Sequence, residues 1–576
     1  MKSFHKQYKN QIEQLANRMR NETMPSLTEE LFALFENTGN RLKYEDVYFA
    51  RRKFLAVFGM AAYLWRRPAD MVKLEEILVE ICGEECWALP AHVNRRENPG
   101  WRNTVDLFAA ETAQALSEIV VLLGENVTQQ GLGLSREICE RVKDETERRV
   151  LRPFEAAQQG WECSDHNWNA VCSGSIGSAA MYLLAGKEEK RLQSILQRVC
   201  YSLTFYLDGF REDGACMEGV GYFTYGMTYF TGFAEQLFRY SKGAIDLFDN
   251  EKVRRIAEFQ QKIYFCSGRT VSFSDGDSAA KFRMGLTSFL SRKFDTVRIP
   301  DSRFAADFET DPCYRFMGLL RDYEWTKDAT EEGSEQPGCA SRHDILPEAQ
   351  WSICESKNGI GFAIKGGDND EPHNHNDVGS FIYLVGGEPL ITDLGAGEYT
   401  AEYFGEGRYN ILCNSSLGHS VPICNGMLQR AGKQYKASSF TADGAGTTKI
   451  AFAGAYEDGV INELDRTTVF SLEEGTLWVE DRVQMSVGMG TELPVFTENL
   501  VTQGAVVLQE NAVIIQGKRV SCMVQTEGKT KNLRVMEKNH SNHEGETEIV
   551  RLIQWEVLGE KGEEFHGVSK YTIRCI

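Results

Sequence analysis

Two histidines, His373 and His375, stand one residue apart in "EPHNHNDVGSFIYLVGGEPLITDLGAG" (371–397), and Asp393 follows 18 residues after the second. The whole chain has only ten histidines. In extended backbone, side chains at i and i+2 point to one face, so this pair projects together with Asn374 and Asn376 opposite. Gly386 and Gly387 supply a hairpin turn before Asp393, and His419, in "NSSLGHSVPICNG", arrives from a third segment. Neutral imidazole and carboxylate are good ligands for Zn2+, so two of these histidines with Asp393 could form a His2Asp site. The blander alternative is a pair of solvent-facing loop histidines and a turn aspartate.

The elements that must position these groups change character along the chain. From about residue 26 to 325 the apolar pattern is helical; "VDLFAAETAQALSEIVVLLG" (105–124) repeats at i, i+3, i+4 and i+7. Roughly eleven such segments, many paired across short turns, call for helical hairpins in a solenoid or closed toroid. A polar stretch, 327–349, reads as a linker. After Trp351 the period becomes two, with Gly and Asn-Gly turns between short strands, which predicts stacked antiparallel sheets. The expected division is a helical domain over 1–330, a linker over 331–350 and a β-sandwich over 351–576.

Bulk properties narrow the function classes. A net charge of −20 argues against non-specific nucleic-acid binding but leaves room for a local basic pocket. The apolar run Phe54–Trp65 is too short to span a bilayer and predicts a buried helix. The N-terminus is polar without an apolar signal segment, and fifteen cysteines lie scattered without a framework. Those features predict a cytoplasmic chain with free thiols, no membrane partner, and a composition compatible with a homo-oligomer.

"HNHNDVGSFIYLVGGEPLITDLGAGEY" followed by "NSSLGHSVPICNG" resembles the heparinase II/III family of polysaccharide lyases. So do "DHNWNAVCSGSIGSAA" (165–180), "DGACMEGVGYFTYG" (213–226) and "SFSDGDS" (272–278) upstream. The resemblance implies an incomplete (α/α) toroid followed by an antiparallel β-sandwich, and cleavage of uronate-containing glycans by β-elimination. A proton leaves C5 beside the carboxylate, the C4–O bond breaks, and the product carries a double bond. Deprotonation next to a carboxylate builds a second charge on the same group. The enzyme must therefore neutralise the carboxylate, supply a base and protonate the departing oxygen.

By this resemblance Asn167, or next Asn169, neutralises the carboxylate of an acidic oligosaccharide, and Tyr222, or next Tyr225, carries the proton. His373 is a second base or carboxylate neutraliser at the cleft between the domains. His375, Asp393 and His419 hold a structural divalent metal, Zn2+ by its ligands. Glu218, Arg408 and Trp168 are further substrate contacts; Trp101 and Trp161 are candidate stacking platforms. The plain structural readings are a helix cap for Asn167, core packing for the tyrosines and tryptophans, and a surface ion pair for Arg408. Some relatives carry histidine where this chain has asparagine or tryptophan beside His166, a difference that bears on uronate epimer preference. Two other functions compete. One is a glycoside hydrolase using a carboxylate pair from Asp213, Glu218, Asp275 and Asp277. The other is a non-catalytic carbohydrate-binding protein on the same fold.

Overall fold

A computed structural model of the chain describes residues 2–124, 133–327, 339–400, 402–457, 459, 461–487, 494–528, 530–561 and 564–576. It resolves into two compact units. The helical unit comprises Met1–Phe210, Tyr222–Ala257 and Lys281–Ser334, and the sheet unit comprises Arg211–Gly221, Glu258–Ala280 and Glu335–Ile576. The sheet unit thus takes two pieces, 211–221 and 258–280, from the half of the sequence that reads as helical.

Helices begin earlier than the sequence pattern indicates. Lys2–Met19 is a helix whose Tyr8, Ile12, Leu15 and Met19 form one narrow buried stripe. These few apolar positions on a largely polar segment make a weak signal, yet their i, i+4, i+7, i+11 spacing keeps them on one face. Leu42–Trp65 buries the whole run Phe54–Ala62, as its composition requires. Leu107–Leu123 starts where Asp106 accepts a hydrogen bond from the Ala109 amide at 2.8 Å, and it packs on Asn167–Leu184. The latter packs in turn on Glu189–Asp208, giving the helical hairpins expected. Among the described residues, no helix is long and apolar enough to cross a membrane.

In the sheet unit, β1 (Arg342–Leu346), β2 (Trp351–Glu355), β3 (Gly361–Lys365), β4 (Phe381–Val385) and β5 (Glu388–Ile391) form one antiparallel sheet in the order β1-β2-β3-β4-β5. β1 lies inside the stretch read as a linker; residues 331–338 of that stretch are outside the described residues. Gly386 and Gly387 join β4 to β5 with φ of 56° and 82°, the two positive values a tight two-residue hairpin demands. A nine-stranded antiparallel sheet built from strands between Ser439 and Cys575, a four-stranded sheet and a two-stranded pair, Asp368–Asn369 with Gly432–Lys436, complete the unit. The strand Leu477–Ser486 alternates buried with less buried positions along its length. Phe362 and Phe381 from the first sheet, Val479 and Tyr571 from the second, and Leu500 and Trp555 from the third share a single core. That shared core is what makes this a layered sandwich.

Cys266 and Cys339 form a disulfide with a Cα–Cα distance of 5.5 Å, against the expectation of free thiols throughout. Both cysteines belong to the sheet unit, although 73 residues separate them.

Candidate functional site

The histidines converge on a residue from the recruited segment 258–280. The Asp275 side chain is sealed from solvent, and its carboxylate accepts four hydrogen bonds. Oδ2 receives His373 Nδ1 at 2.6 Å and the Tyr399 hydroxyl at 2.7 Å. Oδ1 receives His375 Nε2 at 3.0 Å and the Tyr403 hydroxyl. Burial alone would raise the Asp275 pKa. The bonds from His373 and His375 outweigh it and hold this carboxyl well below the usual range. An ionised carboxylate only accepts, so His373 carries a proton on Nδ1. That Nε2 lies 3.6 Å from Glu218 Oε2, and the imidazole keeps 20% of its surface exposed.

The backbone around His373 is a turn, where the sequence reading has it extended. His373 adopts φ of 56°, a left-handed conformation that costs a non-glycine residue about 1–3 kcal/mol. The two imidazoles still share a target, because Asp275 gathers them rather than strand alternation. Arg408 helps to hold the turn. Its guanidinium donates to the Asn374 carbonyl at 3.1 and 3.0 Å and to the Tyr403 carbonyl at 3.0 Å, and sits 4.5 Å above the Tyr403 ring. Arg408 is therefore turned inward onto the histidine loop and is not the surface ion pair of the plain structural reading.

Behind this pair lies a fully enclosed donor set. His375, Asp393 and His419 are buried, and their ligand atoms lie within 4.8 Å of one another. His419 Nδ1 is 3.1 Å from Asp393 Oδ2, and its Nε2 donates to the Cys413 carbonyl at 2.7 Å. With His375 Nε2 committed to Asp275, its Nδ1 is buried with no hydrogen-bond partner among the described residues. A buried, unpaired imidazole nitrogen facing a second imidazole and a carboxylate suits a borderline cation such as Zn2+, and Asp275 and Cys413 would then orient the two imidazoles from outside. Burial opposes ionisation of Asp393, but the adjacent His419 lowers its pKa, and the same carboxylate raises that of His419. Arg466, wholly buried, donates to the carbonyls of Gly379 at 2.7 Å and Ser420 at 2.8 Å and clamps the two loops from below.

In the helical unit, Asn167 is the first residue of the helix Asn167–Leu184, with His166 at the cap position, so the expected capping role is absent. The Asn167 amide makes no hydrogen bond among the described residues. Asn169 differs. Its amide donates to the carbonyls of Glu162, Ser164 and Ser202 at 2.8–3.0 Å and accepts from Ser173 and Ser202 hydroxyls. With both ends saturated, Asn169 ties the helix start to its neighbour and has nothing left for a sugar. Trp168 is half-buried and meets the His92 ring edge-on at 4.7 Å.

Tyr222 lies half-buried in the first turn of the helix Val220–Tyr240. Tyr225, one turn on, bonds Glu111 Oε1 at 2.5 Å with the Arg315 guanidinium 4.0 Å from its ring. Burial, then the Glu111 charge, push the Tyr225 phenol far above its ordinary pKa, which disfavours it as a proton carrier. Trp161 donates to the Val105 carbonyl at 2.9 Å and Trp101 is buried, so both are packing residues.

The carboxylates named for a hydrolase are engaged elsewhere in the structure, and Glu218 faces His373 at 3.6 Å. Asp213 accepts backbone amides of Ala215, Glu348 and Ala349, Asp277 caps the Ala279 amide, and Asp275 is saturated and held ionised. The sequence reading lacked Tyr399 and Tyr403 and gave Asp275 the wrong partners. Asp275 lies in "SFSDGDS", Tyr399 ends the histidine motif and Tyr403 falls just beyond it, and nothing in their spacing reveals a shared carboxylate.

No family model and no curated protein matches the chain. Solved structures do. Heparan sulfate lyase HepC from Pedobacter heparinus superposes with a TM-score of 0.60 at 12% identity, covering 96% of this chain and 84% of that one. A heparinase III gives 0.60 at 12% identity, covering 100% and 91%. The chondroitin AC lyase of Streptomyces coelicolor A3, in complex with chondroitin sulphate, gives 0.50 at 10% identity, covering 99% and 82%. A helical N-terminal region followed by antiparallel sheets, matched over almost the full length, gives this chain the fold of the heparinase III-type polysaccharide lyases.

Proposed function

We propose that the protein is a polysaccharide lyase that cleaves acidic, uronate-containing oligosaccharides by β-elimination. The observation that carries this reading is the His373 imidazole, fixed by Asp275 at Nδ1, with Nε2 3.6 Å from Glu218 and a fifth of the side-chain surface exposed. An imidazole held in place by a buried carboxylate at the surface of a site is suited to abstraction of a weakly acidic C–H proton. The neighbours of like fold are named as lyases of heparan sulfate and chondroitin, which supports the same chemistry here.

In this reading the Asn167 amide donates to the uronate carboxylate, taking up the charge that builds as C5 loses its proton. An amide does this without competing for the proton itself. His373 Nε2 accepts the C5 proton, and Tyr222 gives its phenolic proton to the departing C4 oxygen. Glu218 stabilises the imidazolium that results. His375, Asp393 and His419 would hold a structural Zn2+, whose chemistry is to fix the loop that presents His373. Water is not a reactant, so no carboxylate pair is required.

The test is a panel of alginate, pectin, ulvan and glycosaminoglycan oligosaccharides followed by the ultraviolet absorbance of the C4–C5 double bond. Unsaturated product is expected from at least one. His373→Ala and Tyr222→Phe should each lower kcat by about 10²–10⁴. Cleavage that yields only saturated ends would overturn the lyase in favour of a hydrolase.

A further inference from the structure

Away from the histidines, two thiols of the sheet unit oppose each other across neighbouring strands. Strand Ser521–Glu527 pairs antiparallel with strand Glu564–Cys575, and the register sets Cys522 directly opposite Cys575. The Ile576 amide donates to the Ser521 carbonyl at 3.1 Å, which makes 521 and 576 a hydrogen-bonded pair. Hydrogen-bonded and non-hydrogen-bonded pairs alternate along an antiparallel ladder, so Cys522 and Cys575 form a non-hydrogen-bonded pair. In such a pair the Cα atoms approach to about 4.5 Å and the side chains leave on one face, close together. A disulfide needs Cα atoms roughly 4.4–6.8 Å apart. The register alone therefore supplies the backbone spacing of a cross-link, as it does not for any pair of cysteines chosen at random.

The two thiols differ in access. Cys575 is exposed, whereas Cys522 is buried in the core it shares with Tyr383 and Val524. Burial, then the neighbouring Cys575, push the Cys522 thiol well above its ordinary pKa, so it stays protonated and is not the first to react. We propose that Cys522 and Cys575 are a redox-modification site, oxidised to a second intramolecular disulfide by low-molecular-weight disulfides of the glutathione class. The Cys575 thiolate attacks one sulfur of the small disulfide, the S–S bond breaks, and one small thiolate leaves. That thiolate takes the proton of Cys522, whose sulfur then attacks Cys575 Sγ; the mixed disulfide breaks and the second small thiolate leaves, to be protonated by solvent. Two protein thiols are oxidised, and one small disulfide is reduced to two thiols. The new bond straps strand Glu564–Cys575, which lies between Ser521–Glu527 and Leu477–Ser486 within the nine-stranded sheet.

The experiment treats the intact protein with oxidised glutathione, blocks the remaining thiols at intervals and maps the unreduced peptides by mass spectrometry. A glutathione adduct on Cys575 is expected first. A peptide cross-linked between Cys522 and Cys575 should follow, while the adduct falls by about 10-fold or more because the second attack is intramolecular. In Cys522→Ala the adduct should persist with no cross-link. In Cys575→Ser, Cys522 should react at least about 10-fold more slowly than Cys575 does in the wild type. Cys163, the other exposed free cysteine, reports in the same digests how fast an exposed thiol of this chain reacts. The wild-type time course decides the matter even if a variant fails to fold. An unmodified Cys575, an adduct that persists there in the wild type, or a cross-link from either cysteine to a different partner would overturn the site. So would a Cys522 that reacts as fast in Cys575→Ser as Cys575 does in the wild type.

Discussion

Asp275 shows how much one side chain can organise. Its two oxygens hold both histidines and two tyrosine hydroxyls, and its own ionisation depends on them. Asp275→Asn keeps the shape but replaces an acceptor with a group that also donates, so the His373 tautomer is no longer fixed. We expect kcat to fall by about 10²–10⁴ with KM nearly unchanged, since the sugar contacts remain. A kcat within a few-fold of wild type would refute the positioning role. His375→Ala should lower the zinc content of protein purified without chelator, whereas His373→Ala should leave it intact; metal analysis of the two variants separates these roles. The grouping of His375, Asp393 and His419 was legible because they flank one hairpin and the loop after it. Asp275 was not, because it lies 98 residues before His373 in a segment whose local pattern carries no long-range information.

At the scale of elements, the histidine loop is anchored by a buried charge cluster. Lys365, on β3, reaches Glu371 at 3.1 Å and Asp377 at 2.7 Å, and all three are sealed from solvent. Burial, only partly offset by Lys365, pushes Glu371 up to about 7 from an ordinary 4.5. A carboxyl raised on folding binds more protons in the folded state, so its stabilisation is present below pH 4.5 and lost as pH rises towards 7. Relative to Glu371→Gln, the wild type should therefore lose roughly 3 kcal/mol across that window. Thermal melts of both proteins at pH 4.5 and pH 8 test this; parallel behaviour would mean the burial penalty is relieved elsewhere. The strands themselves were readable because period-two alternation and Gly turns are local. The helix Lys2–Met19 escaped notice because its buried stripe is narrow amid polar residues, and the turn at His373 because a left-handed histidine leaves no mark on composition.

At the scale of the whole molecule, the disulfide Cys266–Cys339 closes a 73-residue separation around the helical insert 281–334 while both of its ends stay in the sheet unit. Cross-links of that span restrict the unfolded chain strongly, so Cys339→Ser should cost about 2–5 kcal/mol. The melting temperature of the wild type should fall towards that of the variant when reductant is added, and an unchanged melt would show the bond contributes nothing.

The interleaving of the two units reaches into the bench as well. A gene fragment encoding only 339–576 would yield His373 and His375 without the acid that orients them, since Asp275 and Glu218 come from upstream stretches. Neither half can be cut out as a contiguous stretch of polypeptide. The recruited stretches return to the helical unit at residues 222 and 281, so the reading frame itself commits both halves to be made, and inherited, together.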